Sequence, residues 1–241
     1  MTLNIMTFNT QHCRNFKTGL IDYDVMAQAI KDCNADIVGL NEMRGLGRDR
    51  DDFDEQVRFL SEKTGLGYYY FAEAVRFHGV NPYGNGLLSR YSIKSAYTVP
   101  IPDPPEEGRN KEIYYETRCI LCAEIDAGEG LSVRVSHFGL APEEEANAVW
   151  TLTAILPGEK CVLMGDFNVK PKSRILLPIR ARMCDTAKKF DGEKLSYPSD
   201  KPHEKIDYIF VTPDIKVLAA DIPAIVASDH RPHTAQIEIS G

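Results

Sequence analysis

The sequence predicts an α/β protein in which two β-sheets pack against each other with helices outside. Three observations carry this. Short apolar runs of strand length are interleaved with segments of helical periodicity along the whole chain. Tyr114 to Ile125 and Leu131 to Phe138 read as an antiparallel pair joined by a turn containing Gly128 and Gly130. Such pairing, with alternation in the central strands, does not fit a purely parallel, doubly wound sheet. A chain of 241 residues allows one large domain or two small ones. The prolines at Pro102, Pro104 and Pro105 mark a turn and not a linker, since strand patterns resume after them. One domain over residues 1–241 is therefore expected.

Leu3, Ile5 and Met6 to Phe8 read as a first strand, ending at Asn9 where polar Thr10, Gln11 and His12 follow. Asp22 caps a helix with Val25, Met26, Ala29, Ile30 and Cys33 at helical spacing. Asp36 to Leu40 is a short buried strand running into Asn41 and Glu42. Arg44 to Asp54, dense in glycine and mixed charge, reads as an exposed loop, and Phe53, Val57 and Leu60 with Gly65 as a stop read as a helix. Tyr68 to Ala72 is strand-like, Asn85 to Arg90 is another polar-tipped run, and Ile93 to Pro100 continues as a strand. Beyond the antiparallel pair, which ends at His137, Pro142 opens a helix. Glu143, Glu144 and Glu145 in its first turn complement the helix dipole, and Val149, Leu152 and Leu156 form its buried face. Cys161 to Met164 is a buried strand, Ile206 to Thr212 carries Asp207 inside an apolar run, and Thr234 to Ile239 alternates as a final strand.

The strand at Cys161 stops at Gly165 and delivers Asp166 and Asn168, two residues apart, so period-2 geometry points both side chains the same way. That is either an Asx-type turn or a pair able to polarise water and hold a phosphoryl or carbonyl oxygen. Other polar groups also stand at strand ends: Asn9, Glu42, Asn85, His137, and Asp229 with His230. Each alone has an ordinary structural explanation as a turn, a cap or a core histidine. Together they supply the oxygen ligands, imidazoles and amides that metal-assisted phosphoryl transfer requires.

Composition narrows the class. A hydrophobic content of 43% and a charged content of 26% are those of a folded globular protein. The formal charge of -7 runs against a nonspecific duplex binder. Lys170, Lys172, Arg174, Arg180, Arg182, Lys188 and Lys189 cluster locally and read as a solvated helix face. No basic segment followed by an apolar one opens the chain and no apolar run is long enough to span a membrane, so a soluble, cytoplasmic protein is expected. Cys119 and Cys122 mimic a metal or redox pair, but in a strand they face opposite sides. His12, Cys13 and His78 have zinc-ligand atom types without ligand spacing.

Eight runs in order, Thr7-Phe8-Asn9, Asn41-Glu42, Gly84 to Arg90, Glu116-Thr117-Arg118, Ser136-His137-Phe138, Gly165 to Asn168, Ile206-Asp207-Tyr208 and Ser228-Asp229-His230, resemble the endonuclease/exonuclease/phosphatase family. The resemblance implies a four-layered α/β/β/α sandwich with the site at one rim, and metal-dependent cleavage of phosphate esters. Carried over, it implies Glu42 as principal metal ligand, with Asn9 and Asp229 contributing directly or through water. Asp166 becomes orienter and base for the attacking water, and Asn168 the amide on a phosphate oxygen. His230 bonds the scissile phosphate or shares base duty, Asp207 fixes its tautomer, and His137 stabilises developing charge. Arg118 and Asn85 bind phosphate. The expected ion is magnesium, with manganese as a substitute. Asn41 stands where many members have glutamine, and Val169 to Ser173 looks more like deadenylase-like and generic bacterial members than abasic-site endonucleases. A phosphodiester is the expected substrate, with DNA or RNA as the alternative, a noncatalytic binding protein more remote, and no protein partner.

Overall fold

The computed structural model describes residues 1–47 and 55–240. Its first six-stranded sheet contains β1 (Thr2–Asn9), β2 (Ile37–Arg44), β3 (Tyr68–Phe77), β4 (Asn81–Ser89), β11 (Lys216–Asp221) and β12 (His233–Glu238), in the order β11-β12-β1-β2-β4-β3. The second holds β5 (Ile93–Pro100), β6 (Cys119–Ile125), β7 (Leu131–Ser136), β8 (Cys161–Asp166), β9 (Cys184–Asp185) and β10 (Asp207–Val211), in the order β5-β6-β7-β8-β10-β9. Both sheets are mixed: β1 runs parallel to β2 and β7 to β8, while the other pairings are antiparallel. Helices α1 (Tyr23–Asp32) and α2 (Gln56–Thr64) pack Met26, Ile30, Val57 and Leu60 on Met6, Phe8, Val38 and Leu40 of the first sheet. Helix α3 (Pro142–Ile155) and the single turn α4 (Leu177–Arg180) cover Ile120, Leu163 and Phe210 of the second. The order of layers is helix, sheet, sheet, helix, as expected.

Strand periodicity explains how one rim becomes polar. In β1, Met6 and Phe8 face the helices while Leu3 and Ile5 face the other sheet, so Asn9 continues the inward row. The same inward parity runs from Val133 and Val135 in β7 to His137, and from Val162 and Met164 in β8 to Asp166. In β10 it links Ile209 and Val211 to Asp207. Each row is apolar through the middle of the sandwich, where burying one such side chain contributes roughly 1.5–3 kcal/mol, and turns polar one step beyond. Glu42 breaks the parity by design of the backbone. In β2 Val38 and Leu40 face the helices and so does Met43, because a bulge between Leu40 and Met43 inserts a residue. Glu42 takes the left-handed conformation, φ 60°, within that bulge.

Several sequence expectations shift. β3 runs on to Phe77, β6 begins only at Cys119, and Asn85 lies inside β4 instead of at its tip. Asp207 opens β10 and is not interior to it. β11 had no clear alternation and was not anticipated. The basic stretch is not a helix face: Pro171 and Pro178 keep it to short turns. There Arg180 donates to the Pro171 carbonyl at 2.7 Å, and Arg182 donates to Leu156 at 2.8 Å past the end of α3. Cys119 and Cys122 do face opposite sides and are free thiols. Most of the loop expected from Arg44 to Asp54, and Phe53 of the expected helix, lie outside the described residues.

Gly165 stands at the end of β8 directly against the Ser136 backbone of β7. Its φ of 146° and the position a Cβ would take, 1.8 Å from the Ser136 carbonyl oxygen, leave no room for a side chain. Gly165→Ala should therefore destabilise the fold by about 2–5 kcal/mol, combining backbone strain with overpacking. Denaturant unfolding checks this, and a loss below about 1 kcal/mol would mean that the strands separate easily there.

Candidate active site

The inward rows end around a cleft of about 820 Å³ whose walls include Glu42, Arg118, His137, Asp166, Asn168 and His230. His230 stands between two carboxylates. Its Nδ1 lies 2.9 Å from Asp207 Oδ2 and its Nε2 lies 3.6 Å from Asp166 Oδ2. The donor atoms of this buried trio all fall within 4.8 Å of one another. Burial works against an imidazolium here, but Asp207 and Asp166 outweigh it and push His230 up to about 10. Burial likewise raises the Asp166 carboxyl, to about 7, with His230 opposing and Asp207 reinforcing.

Across the cleft, His137 Nδ1 lies 2.9 Å from Arg118 Nη1. A guanidinium only donates, so Nδ1 is the acceptor and the ring proton sits on Nε2, 3.6 Å from Asp166 Oδ2. Burial, with Arg118 adding its charge, holds His137 well below the usual histidine range, so it is a neutral donor. Asn168 adopts φ 52°, and its Nδ2 donates to the Phe138 carbonyl at 3.0 Å beside His137. Arg118 is held against Glu116, whose backbone N–H donates to Glu144 Oε1 at 3.1 Å. Glu144 also accepts from Ala141 N at 3.1 Å, so one buried carboxylate at the start of α3 serves both its own helix and the cleft wall.

On the opposite side, Asn9 Nδ2 donates to Glu42 Oε1 and to Asp166 Oδ2, both at 3.0 Å, while Asn9 Oδ1 accepts from Gln11 N at 3.1 Å. Asn9, expected to contribute to a metal directly or through water, has its amide bonded to both of these carboxylates. Asp229 accepts from Ser228 Oγ at 2.9 Å, and burial, with Glu42 nearby, raises its carboxyl. Asn85 does not reach the cleft. Its Oδ1 accepts from Asn41 at 2.8 Å and its Nδ2 donates to the Cys119 carbonyl at 2.9 Å, which leaves nothing for a phosphate.

Sequence reasoning left several groups out of the phosphate and metal site. Asn41 joins β2 to Asn85, to the Ser136 carbonyl at 3.1 Å and to Asp166 N at 2.9 Å; a polar residue at a strand end gives no hint of that reach. His12, in the same cleft, has its Nδ1 3.1 Å from the Glu42 carbonyl and its Nε2 3.7 Å from Glu42 Oε2, and burial lowers its pKa. Arg44, Tyr83 and Glu116 also line the walls, with the Arg44 guanidinium 4.8 Å from the Tyr83 ring centroid. Cys13 is buried in the helix-side core, away from any ligand role.

The sequence matches the model of the Endonuclease/Exonuclease/phosphatase family over residues 6–230. The chain belongs to that family. Its members are phosphoester hydrolases and generally depend on divalent metal ions. No curated protein matches the chain. Among solved structures it is similar to the family protein of Beutenbergia cavernae, at TM-score 0.80 and 20% identity over 100% of this chain and 72% of that one. It is also similar to the family protein of Bacteroides vulgatus, at TM-score 0.75 and 23% identity over 100% of both chains. A Bacteroides thetaiotaomicron mannosyl-6-phosphatase superimposes at TM-score 0.72 and 16% identity, over 98% of this chain and 99% of that one. Such identities show a shared fold. Among the described residues no helix is long and apolar enough to cross a membrane.

The family site rests on one more buried charge. Lys205 Nζ donates to the Asp207 carbonyl at 3.0 Å and lies 3.3 Å from the Tyr208 ring centroid, and burial pushes its pKa down to about 8. The folded state therefore releases this proton near pH 8, whereas the unfolded chain keeps it to the ordinary value of 10.5. Between those values the unfolded state binds more protons, so stability rises with pH. Relative to Lys205→Met, the wild type should gain about 3 kcal/mol of unfolding free energy across this window. Urea titrations at each pH measure it; a flat difference would show that the ammonium is not desolvated in the fold.

Proposed function

We propose that the protein is a divalent-metal-dependent phosphodiesterase that hydrolyses its substrate by in-line attack of water. The observation that carries this reading is the facing arrangement around Asp166: His230 backed by Asp207 on one side, His137 backed by Arg118 on another, and Asn9 with Glu42 on a third. Asp166 accepts a proton from the attacking water and aims it. His230, held as a charged donor by Asp207, and His137, a neutral Nε2–H donor, face the non-bridging oxygens as negative charge grows there. The Asn168 amide and the Arg118 guanidinium complete the phosphate cradle.

The residues present fit a cation. Burial, with Glu42 reinforcing against the opposing charge of His230, raises the Asp229 carboxyl, and a divalent ion held by Asp229 and Glu42 would offset both effects. These two carboxylates would hold the ion, with Asn9 keeping Glu42 in place. Their hard oxygens suit magnesium, or manganese as a substitute. Such an ion supplies Lewis-acid stabilisation of phosphoryl charge.

The lining favours a diester over a monoester. Glu42, Glu116, Asp166, Glu204 and Asp229 outnumber Arg44, Arg118 and the charged His230, so a singly charged diester enters against less repulsion than a dianionic monoester. Aromatic walls from Phe77, Tyr83, Tyr114 and Tyr197 suit a compact organic group better than a duplex. With chromogenic mono- and diesters, the diester should be preferred by at least about tenfold in kcat/KM, chelator should abolish turnover, and Asp166→Asn should cost at least about 10²-fold without loss of fold. Turnover that survives chelator sinks the metal-dependent reading. A preference for monoesters moves the assignment toward phosphatases such as the mannosyl-6-phosphatase, and salt-sensitive cutting of nucleic acid moves it toward a nuclease.

A further inference from the structure

We infer that His12 is a nitrogen ligand of the divalent-ion site, which makes this site prefer first-row transition ions over magnesium. The inference rests on the metal-dependent reading above and adds a donor of a different kind.

The ring is oriented by its own neighbours. Glu42's carbonyl oxygen accepts from the His12 backbone N–H and lies 3.1 Å from Nδ1. A carbonyl cannot donate, so the Nδ1 proton is spent on it and Nε2 carries a bare lone pair. What Nε2 faces, at 3.7 Å, is Glu42 Oε2, a second acceptor. Two acceptors presented side by side to a cleft repel unless a cation lies among them. A carbonyl-bound Nδ1 with a free Nε2 is also the arrangement that ligating histidines adopt, because the outer hydrogen bond fixes tautomer and aim. Glu42's other oxygen is occupied by Asn9 Nδ2, which leaves Oε2 as the one shared with His12.

The backbone is strained to achieve this. Gln11, His12 and Cys13 have φ of 47°, 59° and 60°, three successive non-glycine residues in the left-handed region. The turn is held by Asn9 Oδ1 on Gln11 N, by buried Gln56 donating to the His12 carbonyl at 2.8 Å, and by the Cys13 side chain sunk in the core. Tyr83 packs edge-on against the imidazole at 5.5 Å. A turn that only reversed the chain would be satisfied by glycine. This one instead delivers an imidazole beside the carboxylate.

Imidazole adds little to magnesium affinity and progressively more along manganese, cobalt and nickel. The separating variant is His12→Asn, whose amide keeps a donor where Nδ1 stands but has no atom at Nε2. The metal-stripped protein would be titrated with manganese chloride, followed by electron paramagnetic resonance, and with magnesium and cobalt chlorides by calorimetry. Wild type should bind manganese at least about tenfold more tightly than magnesium, and its manganese spectrum should show nitrogen hyperfine coupling. His12→Asn should lose about 10- to 100-fold in manganese affinity, more in cobalt and under about threefold in magnesium, together with the nitrogen coupling. A wild-type spectrum without nitrogen coupling, coupling that survives in His12→Asn, or unchanged manganese affinity in that variant overturns the inference and leaves the metal-dependent reading intact. Absence of any ion binding to wild type, with hydrolysis that resists chelator, overturns both.

Discussion

The amide of Asn41 is the contact on which the arrangement of the rim depends. It belongs to β2 in one sheet, yet it accepts from Asp166 N and donates to the Ser136 carbonyl in the other, and it also donates to Asn85, which in turn bonds the Cys119 carbonyl. All these groups are buried, so any one left unpaired would cost about 1–3 kcal/mol, whereas each satisfied bond contributes only about 1 kcal/mol. The network therefore acts less as glue than as a register mark: sheets that slid by a residue would strand several polar groups at once. The sheets press closely behind it, with a Cβ on Gly39 falling 2.6 Å from Met164 Sδ. Asp166 inherits its position from this contact, because its own backbone N–H is one of the partners.

Stability and function pull in opposite directions at this rim. The inward rows of β1, β7, β8 and β10 bury apolar side chains until their last step, and then bury charge. Asp166 and Asp207 are buried on either side of His230, with the donor atoms of all three within 4.8 Å, an arrangement that apolar side chains of similar shape would outperform energetically. Glu42 adds a left-handed backbone to that cost. The apolar layer between the sheets offsets both, which explains why a reactive cluster can sit at the edge of so large a core.

The rows themselves were legible in the sequence. Alternation carried Asn9, His137 and Asp166 to the correct ends, and the order of motifs made the family readable at identities where only the fold persists in solved relatives. Where alternation failed as a guide, the cause was local geometry. Simple parity would send Glu42 toward the helices, and only a bulge with positive φ turns it inward. Asn85 has the same composition as a phosphate-binding amide, but its partners come from two other strands and cannot be inferred from spacing. The basic residues after Asn168 looked like one surface because they are close in sequence; two prolines split them, and two of the arginines turn back to cap carbonyls. His12 and Cys13 were noticed for their atom types, and the three-dimensional turn sends one into the cleft and the other into the core.

The acidity of the cleft then has a thermodynamic consequence. A phosphate approaching Glu42, Asp166 and Asp229 meets repulsion that Arg118 and His230 offset only in part, while a cation approaching the same carboxylates meets attraction. Binding of either reduces the unfavourable field felt by the other, and linkage requires the effect to be equal in both directions. Substrate and ion should thus be held cooperatively, each weakly alone. On the proposed reading, the donor set of the cation site is for that reason part of substrate recognition: whatever His12 would add to the grip on the ion would be transmitted to the phosphate through charge, without any contact between that ring and the substrate.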